Sequence, residues 1–197
     1  MRILLIGASG HVGSAAAAAL RPRHELIEAG RSTDPAVDIT DAGSIAALLE
    51  ATGTVDAVVV TAGSVPFRPV EQLTRDDYLA AFTGKVLSQI DVVRLALPYL
   101  TDGGSLTLTS GILARAVVPT GAAASMANGA LEAYVMAAAP ELPRGIRLNA
   151  VSPSVLAEAT AYHDAFAGFP QVSDAEVGRA YLRAVEGLGS GRVLEVG

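Results

Sequence analysis

The chain has 197 residues, 51 % of them apolar and 17 % charged, with 20 acidic against 14 basic residues and a formal net charge of −6. This length suits one domain with a full core, and the acidic balance argues against nucleic acid or an anionic membrane surface as a partner. With no cysteine there is neither a disulfide framework nor a thiolate nucleophile, so the cytoplasm is the expected location, and three scattered histidines (His11, His24, His163) make no metal site.

Ile3-Leu4-Leu5-Ile6 reads as a short buried strand, too brief for the apolar region of a signal peptide. It breaks into Gly7-Ala8-Ser9-Gly10-His11-Val12-Gly13 and then into the alanine-rich helix Ser14–Leu20. Strand, glycine turn and helix in this order are what a dinucleotide phosphate site requires. Gly7 permits the sharp turn, Gly10 lets backbone N–H groups approach a pyrophosphate, and Gly13 lets the helix lie close on the strand. The helix N-terminus adds partial positive charge. The spacing is G-x-x-G-x-x-G rather than the commoner G-x-G-x-x-G, and a glycine triplet can also be plain turn chemistry. Its place between strand and helix favours nucleotide binding, with Gly7, Ser9, Gly10, His11, Val12 and Gly13 as candidate contacts.

His24–Ala29 reads as a second strand ending at Gly30-Arg31-Ser32, where the adenosine ribose of a dinucleotide would lie. An acid there would accept from a 2′-hydroxyl. Arg31 and Ser32 instead suit a 2′-phosphate, which favours NADP over NAD. The alternatives are a solvated loop arginine, or a register that brings Glu28 to the ribose. Val37–Asp41 is expected as a short strand feeding a helix capped by Asp41 or Thr40, with Ile45, Leu48 and Leu49 inward. Asp38, beside Ile39, is either an acceptor for the adenine amino group or a turn acid.

Asp56–Gly63 is the next buried strand, uninterrupted as parallel strands are. Its end, Thr61-Ala62-Gly63, lies where a cofactor crosses the sheet edge. Helices are expected from Val70 to about Phe82 and over Lys85–Leu100, then a strand over Gly104–Gly111. A long alanine-rich helix, Thr120–Leu142, and a strand, Gly145–Val151, follow. Residues 152–173 read as irregular, Asp174–Glu186 as a helix and Arg192–Val196 as the closing strand. The alternation predicts a single α/β domain over 1–197, a Rossmann-type doubly wound parallel sheet with helices on both faces. No apolar run reaches the 18 residues of a membrane-spanning helix.

Taken together, these stretches resemble the short-chain dehydrogenase/reductase family almost from end to end. Gly7 to Gly13 is similar to its glycine motif, Thr61-Ala62-Gly63 to its N-A-G tripeptide, and Gly145-Ile146-Arg147-Leu148-Asn149-Ala150-Val151-Ser152-Pro153 to its G-I-R-V-N-x-V-x-P. The resemblance adds Pro153 to the cofactor contacts and implies hydride transfer between NADP and a small carbonyl or alcohol. It also implies a homodimer or homotetramer joined through the long helices. In the family a tyrosine, with a lysine four residues later, supplies the proton. Aligned through Glu132, those positions hold Ala124 and Asn128. The family's serine falls on Gly111 with Ser110 one residue early, and its helix asparagine falls on Lys85.

Losing a positioned acid typically removes about 10²–10⁴ in rate. Tyr134, ten residues beyond Ala124 on the same helix, is about 15 Å too far along the axis to replace it. Lys85 is the candidate donor, since a desolvated ammonium loses pKa; the alternative is a helix-start lysine reaching solvent or Asp91. Ser110 and Thr109 are candidates for holding a substrate carbonyl, or strand-end hydroxyls satisfied by backbone. Tyr162, His163 and Arg115 are further polar groups that a loop or surface position would also explain. Two functions follow: an oxidoreductase using Lys85 with Ser110 or Thr109, or an NADP(H)-binding module that senses cofactor or holds a partner without turnover.

Overall fold

The computed structural model describes residues 1–197. Six apolar runs form parallel strands, β1 (Arg2–Ile6), β2 (Glu25–Ala29), β3 (Val55–Val60), β4 (Leu100–Thr109), β5 (Arg147–Pro153) and β6 (Val193–Val196). They pair in the order β2-β1-β3-β4-β5-β6. Six α-helices separate them: α1 (His11–Leu20), α2 (Ala42–Thr52), α3 (Arg75–Ala81), α4 (Ser88–Ala96), α5 (Ala122–Ala138) and α6 (Asp174–Glu186).

Alternate side chains of each strand face two separate cores, as the pleat dictates. Leu4, Ile6, Val58, Leu106 and Leu148 pack under α2, α4 and α5, whereas Ile3, Leu5, Ala57, Val59 and Val151 pack under α1 and α6. The alanine run of α1 serves that second layer. A Cβ at Gly178 of α6 would lie 2.8 Å from the Ala15 carbonyl oxygen, so the two helices touch nearly backbone to backbone. No helix is long and apolar enough to cross a membrane.

The strand expected over Val37–Asp41 does not form. Only an isolated bridge, Gly30 to Ala36, extends the sheet there. Pro35 has no N–H for a ladder, and Asp38 serves local bonds instead: its carboxylate accepts from Thr40 N (2.9 Å) and Oγ1 (2.7 Å), while its own N–H donates to Ser44 Oγ (3.0 Å). Asp41 does cap α2, accepting from Gly43 N at 2.8 Å, with Ile45, Leu48 and Leu49 buried.

The helix expected from Lys85 is also reshaped. Phe82–Leu87 is a π-helical stretch joining α3 to α4, and the helix stops at Ala96 before Leu97-Pro98, so β4 begins at Leu100, ahead of the expected Gly104. Helix α5 starts after Gly121 and ends before Pro140, shorter than Thr120–Leu142.

Candidate active site

Strands β1 and β3 are neighbours whose following connections run to opposite sides of the sheet, and the crevice beyond their carboxyl ends is where such sheets bind ligands. The glycine turn lies in that crevice. Gly7 sits at φ +96°, and a Cβ there would come within 2.7 Å of Ala62 N and Thr61 Oγ1. Gly10 starts α1 with no side-chain cap, which leaves first-turn N–H groups open to the groove. A cleft of about 320 Å³ runs from this turn past Ser9, Arg31, Ser32, Asp38 and Ile39 to Thr61, Ala62 and Gly63. Arg31 is exposed and makes no ion pair, whereas Glu28 is held by Arg21 through two hydrogen bonds of 2.8 and 3.0 Å. Thr61 Oγ1 donates to Ile6 O at 3.0 Å, so the β3 tip is tied to β1.

A second chamber of about 450 Å³ shares Gly10, Thr61, Gly63 and Ser64 with this cleft, so the two form one continuous space. His11, Val12 and Pro153 border it, and Val65, Phe67, Ile112, Leu113, Val155 and Phe166 give it apolar walls. Part of the irregular stretch after β5 folds over it, held by a Leu156–Val172 bridge and by Ser154 Oγ donating to Pro170 O at 2.8 Å. Tyr162 lines the chamber, while the His163 ring is engaged by Leu156 O (3.0 Å) and Gln171 Nε2 (3.3 Å).

Lys85 enters this chamber from the π-helical stretch. Such a stretch turns side chains differently from an α-helix, and here Gly84 packs so closely on Ser64 that a Cβ would lie 2.9 Å from its carbonyl oxygen. The ammonium donates to Ser110 O at 3.0 Å and forms no ion pair. Enclosure lowers its pKa to about 8, a shift partly countered by the charge of Glu132. Opposite, α5 presents Ala124 and Asn128 to the same chamber. Asn128 is 5 % exposed, and its Oδ1 has no hydrogen-bond partner.

The two candidate hydroxyls point elsewhere. Ser110 Oγ donates to Glu132 Oε1 at 2.8 Å, inside a network in which Glu132 also accepts from Ser152 Oγ (3.0 Å) and from Arg115. Arg115 is therefore no free anion site; it also reaches Glu195 at 3.3 Å. Thr109 Oγ1 lies 2.6 Å from both Val60 O and the Tyr181 hydroxyl, within the layer under α6. What β4 offers the chamber is the Ser110 carbonyl and the bare backbone of Gly111.

Lys85 is the only lysine among the fourteen basic residues of the chain. A separate cavity of about 570 Å³ near Arg183, Glu186 and Arg192 holds none of the candidate residues. No cluster of three or more His, Asp or Glu could hold a metal ion.

The glycine cradle, the uncapped helix start and the unsatisfied Asn128 Oδ1 together fit a nicotinamide dinucleotide, and the fold is that of a dinucleotide-binding α/β protein. Comparison with known proteins narrows this class. A family model described as enoyl-(acyl carrier protein) reductase matches residues 12–187, and the chain belongs to the short-chain dehydrogenase/reductase family. Among solved structures it is similar to the protein lin1944 from Listeria innocua, at 44 % identity and a TM-score of 0.98 over 100 % of both chains. It also matches a small-chain dehydrogenase in complex with NADPH, at 27 % identity and a TM-score of 0.86, over 100 % of this chain and 96 % of the other. An uncharacterized oxidoreductase of Methylorubrum extorquens is 33 % identical across 66 % of this chain and 55 % of its own length. A hydroxynaphthalene reductase of Aspergillus fumigatus is 31 % identical across 52 % and 38 %. These matches span about half or less of the curated relatives.

Proposed function

We propose that this protein is an NADP(H)-dependent oxidoreductase of small apolar carbonyls and alcohols that works without the family's tyrosine–lysine pair, with Lys85 as the proton donor. The observation that carries this reading is the Lys85 ammonium in an apolar chamber continuous with the nucleotide cleft. NADP is favoured over NAD by the unpaired Arg31 and by the engagement of Glu28 with Arg21. The NADPH complex of the small-chain dehydrogenase is consistent with that choice.

The cofactor, when bound, supplies the hydride. The glycine turn and the α1 N-terminus hold its pyrophosphate, Arg31 and Ser32 its 2′-phosphate, and Asp38 and Ile39 flank the adenine. The apolar walls exclude water from the reacting carbon. Lys85, fixed by the Ser110 carbonyl, gives its proton to the carbonyl oxygen and is left as the neutral amine; in the reverse direction the neutral amine takes the alcohol proton. An acid with a pKa near the working pH suits both roles.

The test is NADPH oxidation at 340 nm against a panel of small ketones and aldehydes. Lys85→Met should cut kcat about 10²–10⁴-fold while NADPH still binds. An unchanged rate would remove Lys85 from the mechanism. Ala124 and the buried Ser110 hydroxyl favour a second reading, a module that binds NADP(H) without turnover. Saturable NADPH binding with no oxidation across the panel would select it. The family resemblance further supports a homodimer or homotetramer, which light scattering of the purified protein would test, and the lack of cysteine supports a cytoplasmic location.

A further inference from the structure

The inner chamber holds one formal charge and no counter-charge. Lys85 Nζ donates to Ser110 O at 3.0 Å, and its two other N–H groups have no protein acceptor. The acid whose field reaches it, Glu132, is already held by Arg115, Ser110 and Ser152. A half-buried ammonium with one carbonyl partner and no ion pair is costly, and a ligand carrying one negative charge relieves that cost.

The type of anion follows from which cation the chain places there. Elsewhere it uses arginine, and it binds two-oxygen carboxylates by the guanidinium fork. Arg21 holds Glu28 at 2.8 and 3.0 Å, and Arg23 holds Glu186 at 2.7 and 3.2 Å. The single lysine, a compact point charge with rotatable donors, suits one oxygen atom instead. Phe67, Tyr162 and Phe166 among the walls suit a flat apolar ring. Asn128 Oδ1, buried and unpartnered across the chamber, offers an acceptor for a hydroxyl on that ring or on the cofactor.

We propose that the chamber takes apolar ring compounds whose reacting oxygen is bound as an oxyanion on Lys85, that is, phenols and cyclic enols. On binding, the O–H bond of the ligand breaks, its proton goes to the buffer, and the ammonium keeps its own. The inference rests on the chamber being the substrate site and needs no hydride transfer.

The experiment is a spectrophotometric titration of the protein with 4-nitrophenol, whose phenolate and neutral forms differ in colour near neutral pH. The result expected is saturable binding with the ligand's apparent pKa lowered by about one unit or more, a preference of about tenfold for the anion. Lys85→Arg should retain part of that shift and Lys85→Met should abolish it, and 4-nitrotoluene, of similar size without the oxygen, should bind at least about tenfold more weakly. Absent binding, a pKa unchanged or raised on the wild-type protein, or equal affinity for 4-nitrotoluene would overturn the proposal, whether or not Lys85→Met folds. Phenolate binding without NADPH turnover on any carbonyl would leave it standing while removing the oxidoreductase reading.

Discussion

A Cβ placed on Gly13 would lie 2.0 Å from the carbonyl oxygen of Gly7, a backbone atom that cannot step aside. Helix α1 thus leans on the turn that launches it. Gly13→Ala should cost about 2–3 kcal/mol by overpacking and lower Tm by roughly 5–10 °C. At Gly10 the added Cβ would meet only Gly7 O at 3.6 Å. Gly10→Ala should therefore fold with stability within about 1 kcal/mol of wild type yet lose NADPH affinity, because the methyl group occupies the pyrophosphate approach. Melting curves with and without NADPH separate the two effects.

Arg31→Ala should weaken NADPH by about 10–100-fold, the value of a charge-assisted hydrogen bond of about 1.5–3 kcal/mol, and leave NADH binding unchanged. Isothermal titration with both nucleotides measures this. Equal losses for both would show that the guanidinium acts on something other than the 2′-phosphate.

Carbonyl reduction should fall as pH rises through about 8, where Lys85 loses its proton, and alcohol oxidation should rise over the same range. Glu132→Gln removes a charge that holds the Lys85 pKa up, so the inflection should move to lower pH. Stability gives an independent reading. The folded pKa lies below the unfolded value, so between about pH 8 and 10.5 the unfolded chain binds more protons and Lys85 makes stability rise with pH. Lys85→Met should flatten that rise in denaturant titrations.

Thr109→Val should leave Val60 O and the Tyr181 hydroxyl without their shared partner deep under α6, costing about 1–3 kcal/mol. The measurement is the urea midpoint, with an unchanged m-value marking a native-state effect.

Much of this was legible in the chain, and what was not has definite physical causes. Helix α6 forms at the expected Asp174–Glu186, and its start carries a reciprocal cap between near neighbours, Ser173 with Glu176. The glycine turn was equally readable from its place between strand and helix, although only Gly7 and Gly13 answer a steric demand, and that at Gly7 comes from Thr61 and Ala62 on another strand end. The alternation over Val37–Asp41 is real, with Val37 and Ile39 inward, but Asp38 bonds locally to Thr40 and Ser44 and no strand ladder forms. The directions of Ser110 and Thr109 could not be read at all. Whether a strand-end hydroxyl faces a ligand or the core depends on partners, Glu132 and Tyr181, that lie 22 and 72 residues away. Lys85 is a candidate through the family resemblance; the π-helical geometry that turns it into the chamber leaves no mark in hydrophobic periodicity.

The loop that replaced the expected strand has a consequence for specificity. Arg31, Ser32 and Asp38 stand on a segment joined to the sheet by one bridge, so they can be exchanged without disturbing strand register or either core. Only Val37 and Ile39 of this segment are anchored in the core, so the exposed positions around them can alter what the cleft recognises at no cost to the sheet.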